Sequence, residues 1–192
     1  MSGLYPVLLK LEGKRCLVIG NAWGADEKAR GLEAAGALVT RKPDYRPGDL
    51  AGYFLAVAAT GDRTLNQRIW QEAEQQGLLF NAVDDPQHCN FVLPAVHRQG
   101  DLIVAVSSSG KSPALAVRLR DRFASELGPE HAALLDLLGE LRGAVAARFH
   151  EFEDRKRAYL RMLDSPALDL LRNGNAAAAR AALAAALEAV QG

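Results

Sequence analysis

The sequence predicts an α/β protein in which a parallel, doubly wound sheet is followed by an all-helical C-terminal region. Two observations lead to this fold class. Short apolar runs alternate with helix-like stretches between residues 15 and 106, and from Pro113 onward only helical periodicity remains. The change of pattern divides the chain into two predicted domains, residues 1–112 and residues 113–192.

The predicted strands and helices follow one another with clear turn signals. The first strand, residues 15–20, is an apolar run that ends at Gly20. A helix over residues 24–35 ends at Gly36 and leads to a second strand at residues 37–40. The remaining elements are a helix over residues 65–76 and strands at residues 53–59, 78–83 and 102–106. Because parallel strands need crossover connections, this alternation predicts one parallel sheet.

Leucine and alanine at helical spacing fill the C-terminal region. Its last segment, residues 175–190, is dominated by alanine and has strong helix propensity but few large side chains. Such a helix buries little surface alone, so we expect it to pack on another element or on a second subunit. Low-complexity disorder is the alternative interpretation of the same composition.

Charge and cysteine content exclude several classes of protein. The chain has 23 Lys and Arg residues and 23 Asp and Glu residues, so its formal net charge is zero and no basic field predicts nucleic-acid binding. Cys16 and Cys89 give no disulfide framework. We see no signal peptide and no apolar run of bilayer length, so we predict a cytoplasmic protein without membrane association.

Two stretches with polar side chains, residues 81–86 and 107–113, lie at the ends of predicted strands. In the second, Ser112 is predicted as a helix N-cap and Pro113 as the first helical residue, so the turn offers backbone N–H groups to an anion, with Lys111 adding a charge. In the first, Asp84 offers a carboxylate that can accept or donate a proton. Ligands of parallel sheets bind beyond the carboxyl ends of strands, so we expect both stretches at one edge.

Each stretch has an alternative interpretation. Adjacent acids before Pro86 are often only a turn and a cap, and Asp84 and Asp85 with His88 and Cys89 lack the spacing of a closed metal site, so we predict no bound metal. The serine turn lacks the G-x-S-x-G pattern of a nucleophile elbow. A similar serine-rich turn serves phosphosugar-binding isomerase domains.

The turn after the first predicted strand has the setting of a dinucleotide-binding fingerprint. Gly20 suits the tight turn and Ala25 suits helix packing, but Ala22 stands where a glycine normally lets the backbone approach a pyrophosphate. The acid expected about twenty residues later is replaced by a basic segment, residues 40–43. The segment indicates either a preference for a 2′-phosphate or the loss of the adenosine site, and a purely structural turn remains open.

Several segments together are much more specific than any one of them. They are Tyr5-Pro6-Val7, Leu11-Glu12-Gly13, Val18-Ile19-Gly20, Ala58-Ala59-Thr60, Val83-Asp84-Asp85-Pro86, Pro94-Ala95, Ser107-Ser108 with Gly110, and Ser112-Pro113-Ala114. In this order they resemble the bifunctional precorrin-2 dehydrogenase/sirohydrochlorin ferrochelatase family, the module that forms the N-terminal part of siroheme synthase. The resemblance spans nearly the whole chain.

The resemblance implies a Rossmann-like domain followed by a helical region that builds a homodimer. It implies NAD-dependent oxidation of precorrin-2 to sirohydrochlorin and, in some members, insertion of ferrous iron as a substrate to give siroheme. By position, Asp84 corresponds to the catalytic aspartate and Ser108 to a serine of the tetrapyrrole pocket. We predict that the tetrapyrrole binds at Ser107, Ser108, Ser109, Gly110, Lys111 and Ser112. The predicted cofactor-binding residues are Gly20, Asn21, Ala22, Trp23, Thr60 and Asn81.

The chain departs from the family pattern on the dinucleotide side. Asn21 and Ala22 replace two of the usual glycines, and Thr40 leads directly into residues 41–50, so that about one strand and its connection are missing. The missing region is the one that holds the adenosine half of NAD in the family. We therefore expect weak NAD binding at best. The second hypothesis is a tetrapyrrole-binding chelatase or carrier that has lost dehydrogenase activity.

Overall fold

The structure is a computed structural model that describes residues 3–189. These residues form two compact units. The first extends to Leu93 and includes Ser109–Lys111, and the second comprises Pro94–Ser108 and the chain from Ser112 onward. The predicted domain boundary at residue 112 stays a prediction.

A four-stranded parallel sheet forms the centre of the described part of the first unit. Its order is β2-β1-β3-β4, with β1 at Arg15–Ile19, β2 at Leu38–Lys42, β3 at Leu55–Ala58 and β4 at Leu79–Ala82. Helix α1 (Ala25–Glu33) connects β1 to β2, and helix α2 (Arg63–Gln76) connects β3 to β4. The strand order therefore reverses between β1 and β3, since β2 lies on one side of β1 whereas β3 and β4 lie on the other. Ligands of such sheets bind at this reversal.

Both faces of this sheet are covered, as the doubly wound fold class requires. One face packs on α1 through buried side chains, including Cys16, Val18, Ala29, Leu32, Leu55 and Val57. The opposite face packs on α2 through Leu17, Ile19, Ala56, Ala58, Ile69 and Ala73. Successive strand residues alternate between the two clusters because side chains of a strand point to opposite faces. The predicted fold class of this part of the chain is confirmed.

The connection from β2 to β3 is short and well anchored. The described residues 43–54 contain no helix or strand, in agreement with the shortened sheet that the sequence predicts. Tyr45 donates a hydrogen bond from its hydroxyl to Glu72 of α2, and the Gly48 N–H donates to the same carboxylate at 3.0 Å. Leu50 is fully buried in the α2 side of the core. These contacts fasten the connection to α2.

The prediction that residues 102–106 join the parallel sheet is wrong. Strand β6 (Leu102–Val106) pairs antiparallel with β5 (Ala95–Gln99) in a separate two-stranded sheet. Only Gly100 and Asp101 separate the strands, too few residues for the crossover that a parallel neighbour needs. The sequence pattern does not predict β5, because His97, Arg98 and Gln99 make the strand polar. The expectation that Asp84 and the serine turn share one sheet edge thereby loses its basis.

Helices fill the rest of the second unit, as predicted. They are α3 (Pro113–Glu126), α4 (Pro129–Glu140), α5 (Arg142–Arg148), α6 (Phe152–Leu163), α7 (Ala167–Arg172) and α8 (Ala176–Glu188). The alanine-rich α8 buries Ala179, Leu183 and Leu187, four residues apart on one face, against α6 and α7. The disorder alternative is wrong for α8, and residue 190 of the predicted segment lies outside the described residues. Within residues 3–189, every helix is too short or too polar to cross a membrane.

Candidate functional site

Polar side chains of the first unit gather where β3 and β4 end. Thr60 lies two residues after β3, and Asp84 and Asp85 follow β4. Asp62 caps α2 by accepting hydrogen bonds from the N–H groups of Thr64 and Leu65, which fixes the start of this helix. Asn66, in the first turn of α2, is only 2% exposed, so its amide must find partners inside the protein.

These partners form a continuous hydrogen-bonded chain. The Thr60 hydroxyl donates to Asn66 Oδ1 at 2.7 Å, and Asn66 Nδ2 donates to Asp85 Oδ2 at 3.2 Å. His88 Nδ1 lies 2.8 Å from the same carboxylate oxygen. Since a carboxylate only accepts hydrogen bonds, His88 donates from Nδ1.

Asp85 is a buried carboxylate that is stabilised in its charged form. The residue is 5% exposed. Burial raises the pKa of Asp85, but the hydrogen bonds from His88 and Asn66 outweigh burial and hold the pKa below its ordinary value. An ionised group therefore stands at the carboxyl edge of the sheet. From the sequence, Asp85 is interpreted as a turn or cap residue, and its contact with Asn66 is not predicted.

Asp84, the predicted catalytic residue, lies in the opposite environment. Its side chain is exposed, and its backbone is held in the left-handed region with φ 56°. Val83 fixes the end of β4 by donating its N–H to Ala58 O at 2.8 Å. Among residues 3–189, the non-glycine residues with positive φ are Asp84 and Ser109, and both are predicted site residues. Such backbone strain often marks functional sites.

The serine turn is built as predicted at the start of α3. Ser112 caps the helix by accepting from the Leu115 N–H at 3.3 Å, and Pro113 is its first residue. Ser108 Oγ accepts from the Ser112 N–H at 3.1 Å. Two of the predicted ligand-binding hydroxyls therefore also shape the turn, while Gly110 and Lys111 are exposed.

The β1–α1 turn, where the sequence predicts cofactor binding, is tied closely to β3. Gly20 has φ +89°, and a Cβ atom there would lie 2.2 Å from the Ala59 carbonyl oxygen, so only glycine fits. The Ala22 N–H donates to the same oxygen at 3.0 Å. Asn21 and Trp23 face solvent, and Trp23 is 75% exposed.

The amino end of α1 is partly suited to an anion. Its N-cap, Gly24, makes no side-chain cap, and no other described residue supplies one, so the first-turn N–H groups are not occupied by a side chain. Asp26 and Glu27, however, place two negative charges in the same turn. The site therefore combines features that attract a pyrophosphate with charges that repel it.

The basic residues that end β2 are paired within the chain. Arg41 forms an ion pair with Asp26, and the guanidinium lowers the pKa of that carboxyl group through a hydrogen bond. Lys42 Nζ lies 2.5 Å from Asp49 Oδ1. Both cations of the basic segment thus face carboxylates of the same chain.

Asn81 and Cys89 close the loop that follows β4. Asn81 Nδ2 donates to Phe91 O at 3.0 Å, and the Ala82 N–H donates to Cys89 Sγ at 3.2 Å. Burial raises the pKa of the Cys89 thiol, which favours its neutral form. In the described part of the chain, no three His, Cys, Asp or Glu side chains cluster as metal ligands would.

The predicted site residues fall into two groups. Asp84, Thr60, Asn81 and the β1–α1 turn lie at the carboxyl ends of strands of the same parallel sheet. The serine turn follows β6 of the separate hairpin. A signal for the missed network does exist in the sequence: Asn66 is a polar residue between Leu65 and Ile69 on the apolar face of α2.

Models of three protein families match consecutive parts of the chain. Residues 40–95 match a putative NAD(P)-binding family, residues 99–126 match the central region of sirohaem biosynthesis proteins, and residues 131–187 match the sirohaem synthase dimerisation region. The first match covers β3, α2 and β4 of the parallel sheet and supports NAD(P) binding by this part of the chain.

Individual relatives of the chain are siroheme synthases. The chain is 36% identical to the siroheme synthase of Chromobacterium violaceum over an alignment of 198 residues, gaps included. The alignment covers 92% of this chain and 42% of that protein. It is 33% identical to siroheme synthase 1 of Aeromonas salmonicida, over 91% of this chain and 42% of that protein. The chain thus spans about two fifths of the length of these relatives.

A solved structure shares the fold. SirC, a precorrin-2 dehydrogenase, superposes with a TM-score of 0.73 at 21% identity and covers 96% of this chain and 99% of its own. Together with the family matches and the siroheme synthase relatives, this likeness confirms the resemblance found in the sequence. The chain belongs to the siroheme synthase family, and it matches the models of that family's central and dimerisation regions.

Proposed function

We propose that this protein acts in siroheme biosynthesis and oxidises precorrin-2 to sirohydrochlorin with NAD as the hydride acceptor. The observation that carries the proposal is the exposed Asp84 carboxylate, held in a left-handed backbone at the carboxyl edge of an NAD(P)-binding-type sheet. Family membership supplies the substrate class, because the related proteins are siroheme synthases.

Asp84 acts as the proton acceptor. Removing two hydrogens from precorrin-2 releases one as a hydride and the other as a proton, and an exposed carboxylate beside the macrocycle can take the proton. In members that insert ferrous iron, the two protons of the pyrrole nitrogens must leave before the metal substrate enters. The same carboxylate can receive them in turn and pass them to water.

The serine turn binds the periphery of the substrate. The macrocycle carries many carboxylates, which suit a hydroxyl-rich turn at the amino end of the 14-residue helix α3. The exposed Lys111 adds a positive charge to this turn. We assign substrate binding to residues 107–112 and catalysis to Asp84.

The dinucleotide would be held at the β1–α1 turn. Gly20 lets the turn lie close against the end of β3, and the uncapped amino end of α1 offers N–H groups to the pyrophosphate. Thr60 and Asn81 border the same strand ends. The Ala22 methyl group crowds the approach to the pyrophosphate, and the paired Arg41 and Lys42 disfavour the adenosine half. We therefore propose NAD binding of millimolar or weaker affinity.

A chelatase or tetrapyrrole carrier without dehydrogenase activity is the second candidate. The ion pairs Arg41–Asp26 and Lys42–Asp49 and the helix-free β2–β3 connection favour it, because they affect the dinucleotide side and leave Asp84 exposed. In both candidates the helical unit builds a homodimer, which its match to the sirohaem synthase dimerisation region supports.

A turnover assay separates the candidates. Precorrin-2 is supplied with the protein and with NAD, with NADP or with neither, and sirohydrochlorin is followed by its visible absorption. We expect formation that depends on NAD and rises with its concentration into the millimolar range. If neither nucleotide supports turnover, the dehydrogenase proposal fails, and ferrous iron insertion into supplied sirohydrochlorin then separates a chelatase from a carrier.

A further inference from the structure

Asp85 and His88 form a carboxylate–imidazole pair that the mechanism above does not use. Their Oδ2 and Nδ1 atoms are 2.8 Å apart, and the side chains are 6% and 17% exposed. The two residues belong to one short segment, with Asp85 directly after Asp84 and His88 at the end of the 3₁₀ turn Pro86–His88. A buried carboxylate paired with a half-buried imidazole, directly after the proposed catalytic carboxylate in the sequence, needs an explanation.

The surroundings fix both partners of the pair. Asn66 holds the Asp85 carboxylate from α2, and Thr60 in turn holds the Asn66 amide. The Trp70 ring, one turn further along α2, lies with its centroid 5.7 Å from that of His88. The imidazole is therefore oriented by a hydrogen bond at one nitrogen and by an aromatic neighbour.

This arrangement determines where the imidazole proton sits. A carboxylate that accepts from Nδ1–H keeps the proton on that nitrogen, so neutral His88 carries its free electron pair on Nε2. Its partial exposure leaves the ring within reach of water. The charged and titratable groups that act on this pair are the Cys89 thiol and Arg63 of α2, whose charge also favours ionised Asp85, and Asp84 precedes the pair directly in the sequence.

We propose that His88 is a proton relay for the site at Asp84 and that Asp85 is its positioning residue; this inference rests on the proposed function. The Asp84 carboxyl group, after taking the substrate proton, passes it through water to Nε2 of His88, four residues further along the chain. The O–H bond breaks as the N–H bond forms, and no electrons are transferred to or from the protein. The imidazolium rests against the Asp85 carboxylate and then releases the Nε2 proton to water.

The first test reads the tautomer without any activity. Nitrogen-15 NMR of the wild-type protein at neutral to mildly alkaline pH is expected to show His88 as the Nδ1–H tautomer. Asp85→Asn is expected to shift it toward the Nε2–H tautomer, because an asparagine amide can donate to Nδ1. A wild-type His88 with its proton on Nε2 would overturn the proposal, whether or not the protein has dehydrogenase activity.

The second test uses turnover and rescue. His88→Ala is expected to lower kcat at least tenfold with little change in KM, and added imidazole is expected to restore much of it, as for a missing proton carrier (typical effects are about 10²-fold or more). Gln87→Ala, an exposed neighbour in the same 3₁₀ turn, is the matched control. A His88→Ala protein as active as the wild type, or an inactive one that imidazole does not rescue, would overturn the relay. An inactive wild type would instead refute the proposed function.

Discussion

Asp84 and Asp85 are adjacent carboxylates with different environments, and their difference defines the site at the scale of single residues. Asp84 is exposed on a left-handed backbone, whereas Asp85 is buried and hydrogen-bonded on both sides. Because side chains at neighbouring positions diverge, one acid can meet a ligand while the other organises the segment.

Asp84→Asn is expected to abolish turnover and leave the fold intact. Asparagine removes the proton-accepting charge, and it tolerates positive φ about as well as aspartate does. Sirohydrochlorin formation measures the first effect, and thermal unfolding, expected within a few degrees of the wild type, measures the second. Unchanged turnover would remove Asp84 from the mechanism.

Asp85 is expected to make the free energy of unfolding decrease as the pH becomes acidic. Its pKa is lowered in the folded protein, because hydrogen bonds from His88 and Asn66 outweigh the burial that raises it. The stability that it contributes is therefore present above the unfolded pKa of about 3.9 and is lost as the pH falls through the folded value. Urea unfolding at pH 7 and pH 3 should show a smaller loss for Asp85→Asn than for the wild type.

The control for this pH effect is Asp44→Asn, which changes an exposed carboxylate of the β2–β3 connection. Its loss of stability between pH 7 and pH 3 should match that of the wild type. If Asp85→Asn loses as much stability as the wild type, the buried carboxylate does not contribute as described.

At the scale of elements, the β1–α1 turn depends on one close approach. Gly20→Ala is expected to destabilise the protein by at least about 3 kcal/mol. The new Cβ would lie 2.2 Å from the Ala59 carbonyl oxygen, and alanine would also have to adopt the positive φ of this position. Denaturant unfolding measures the change.

Gly48→Ala separates the steric contact at Gly20 from the conformational cost of a positive φ. Gly48 has φ +91°, but a Cβ there would have no atom within 4 Å, so the substitution carries only the conformational cost of about 1–2 kcal/mol. Equal losses for Gly20→Ala and Gly48→Ala would contradict the described contact between the turn and β3.

The elements also show what sequence patterns can and cannot predict. The buried strands β1, β3 and β4 were predictable because continuous apolar runs that end at turn residues allow few other structures. Strand β5 was not, because His97 and Arg98 interrupt its apolar pattern and its partner β6 then looked like a fifth parallel strand. The position of β6 was therefore predicted wrongly because its hairpin partner β5 was not recognised.

The candidate site also contains residues that the sequence predicts and residues that it does not predict. Asp84 and Ser112 were predictable from local patterns, a carboxylate after a strand and an N-cap before Pro113. The Thr60–Asn66–Asp85–His88 network was not predictable, because it joins residues up to 28 positions apart through side-chain geometry that only the folded strands and α2 create.

At the scale of the whole molecule, association of two chains is the expected state. The second unit exposes large apolar side chains, which include Leu115, Val117, Leu119, Phe123, Leu135 and Leu160. Such surface is typical of interaction faces, and residues 131–187 match a dimerisation region. Sedimentation equilibrium should give twice the chain mass of 20.6 kDa at micromolar concentration. A mass of one chain would contradict the homodimer.

The measurement that tests the central claim most directly is a titration of the wild-type protein with sirohydrochlorin, followed by the visible absorption of the tetrapyrrole. Dehydrogenase, chelatase and carrier all require this ligand to bind, so the account predicts a saturable change that an excess of a sugar phosphate does not reverse. An absorption spectrum that stays that of free sirohydrochlorin at every protein concentration, or displacement by the sugar phosphate, would contradict it.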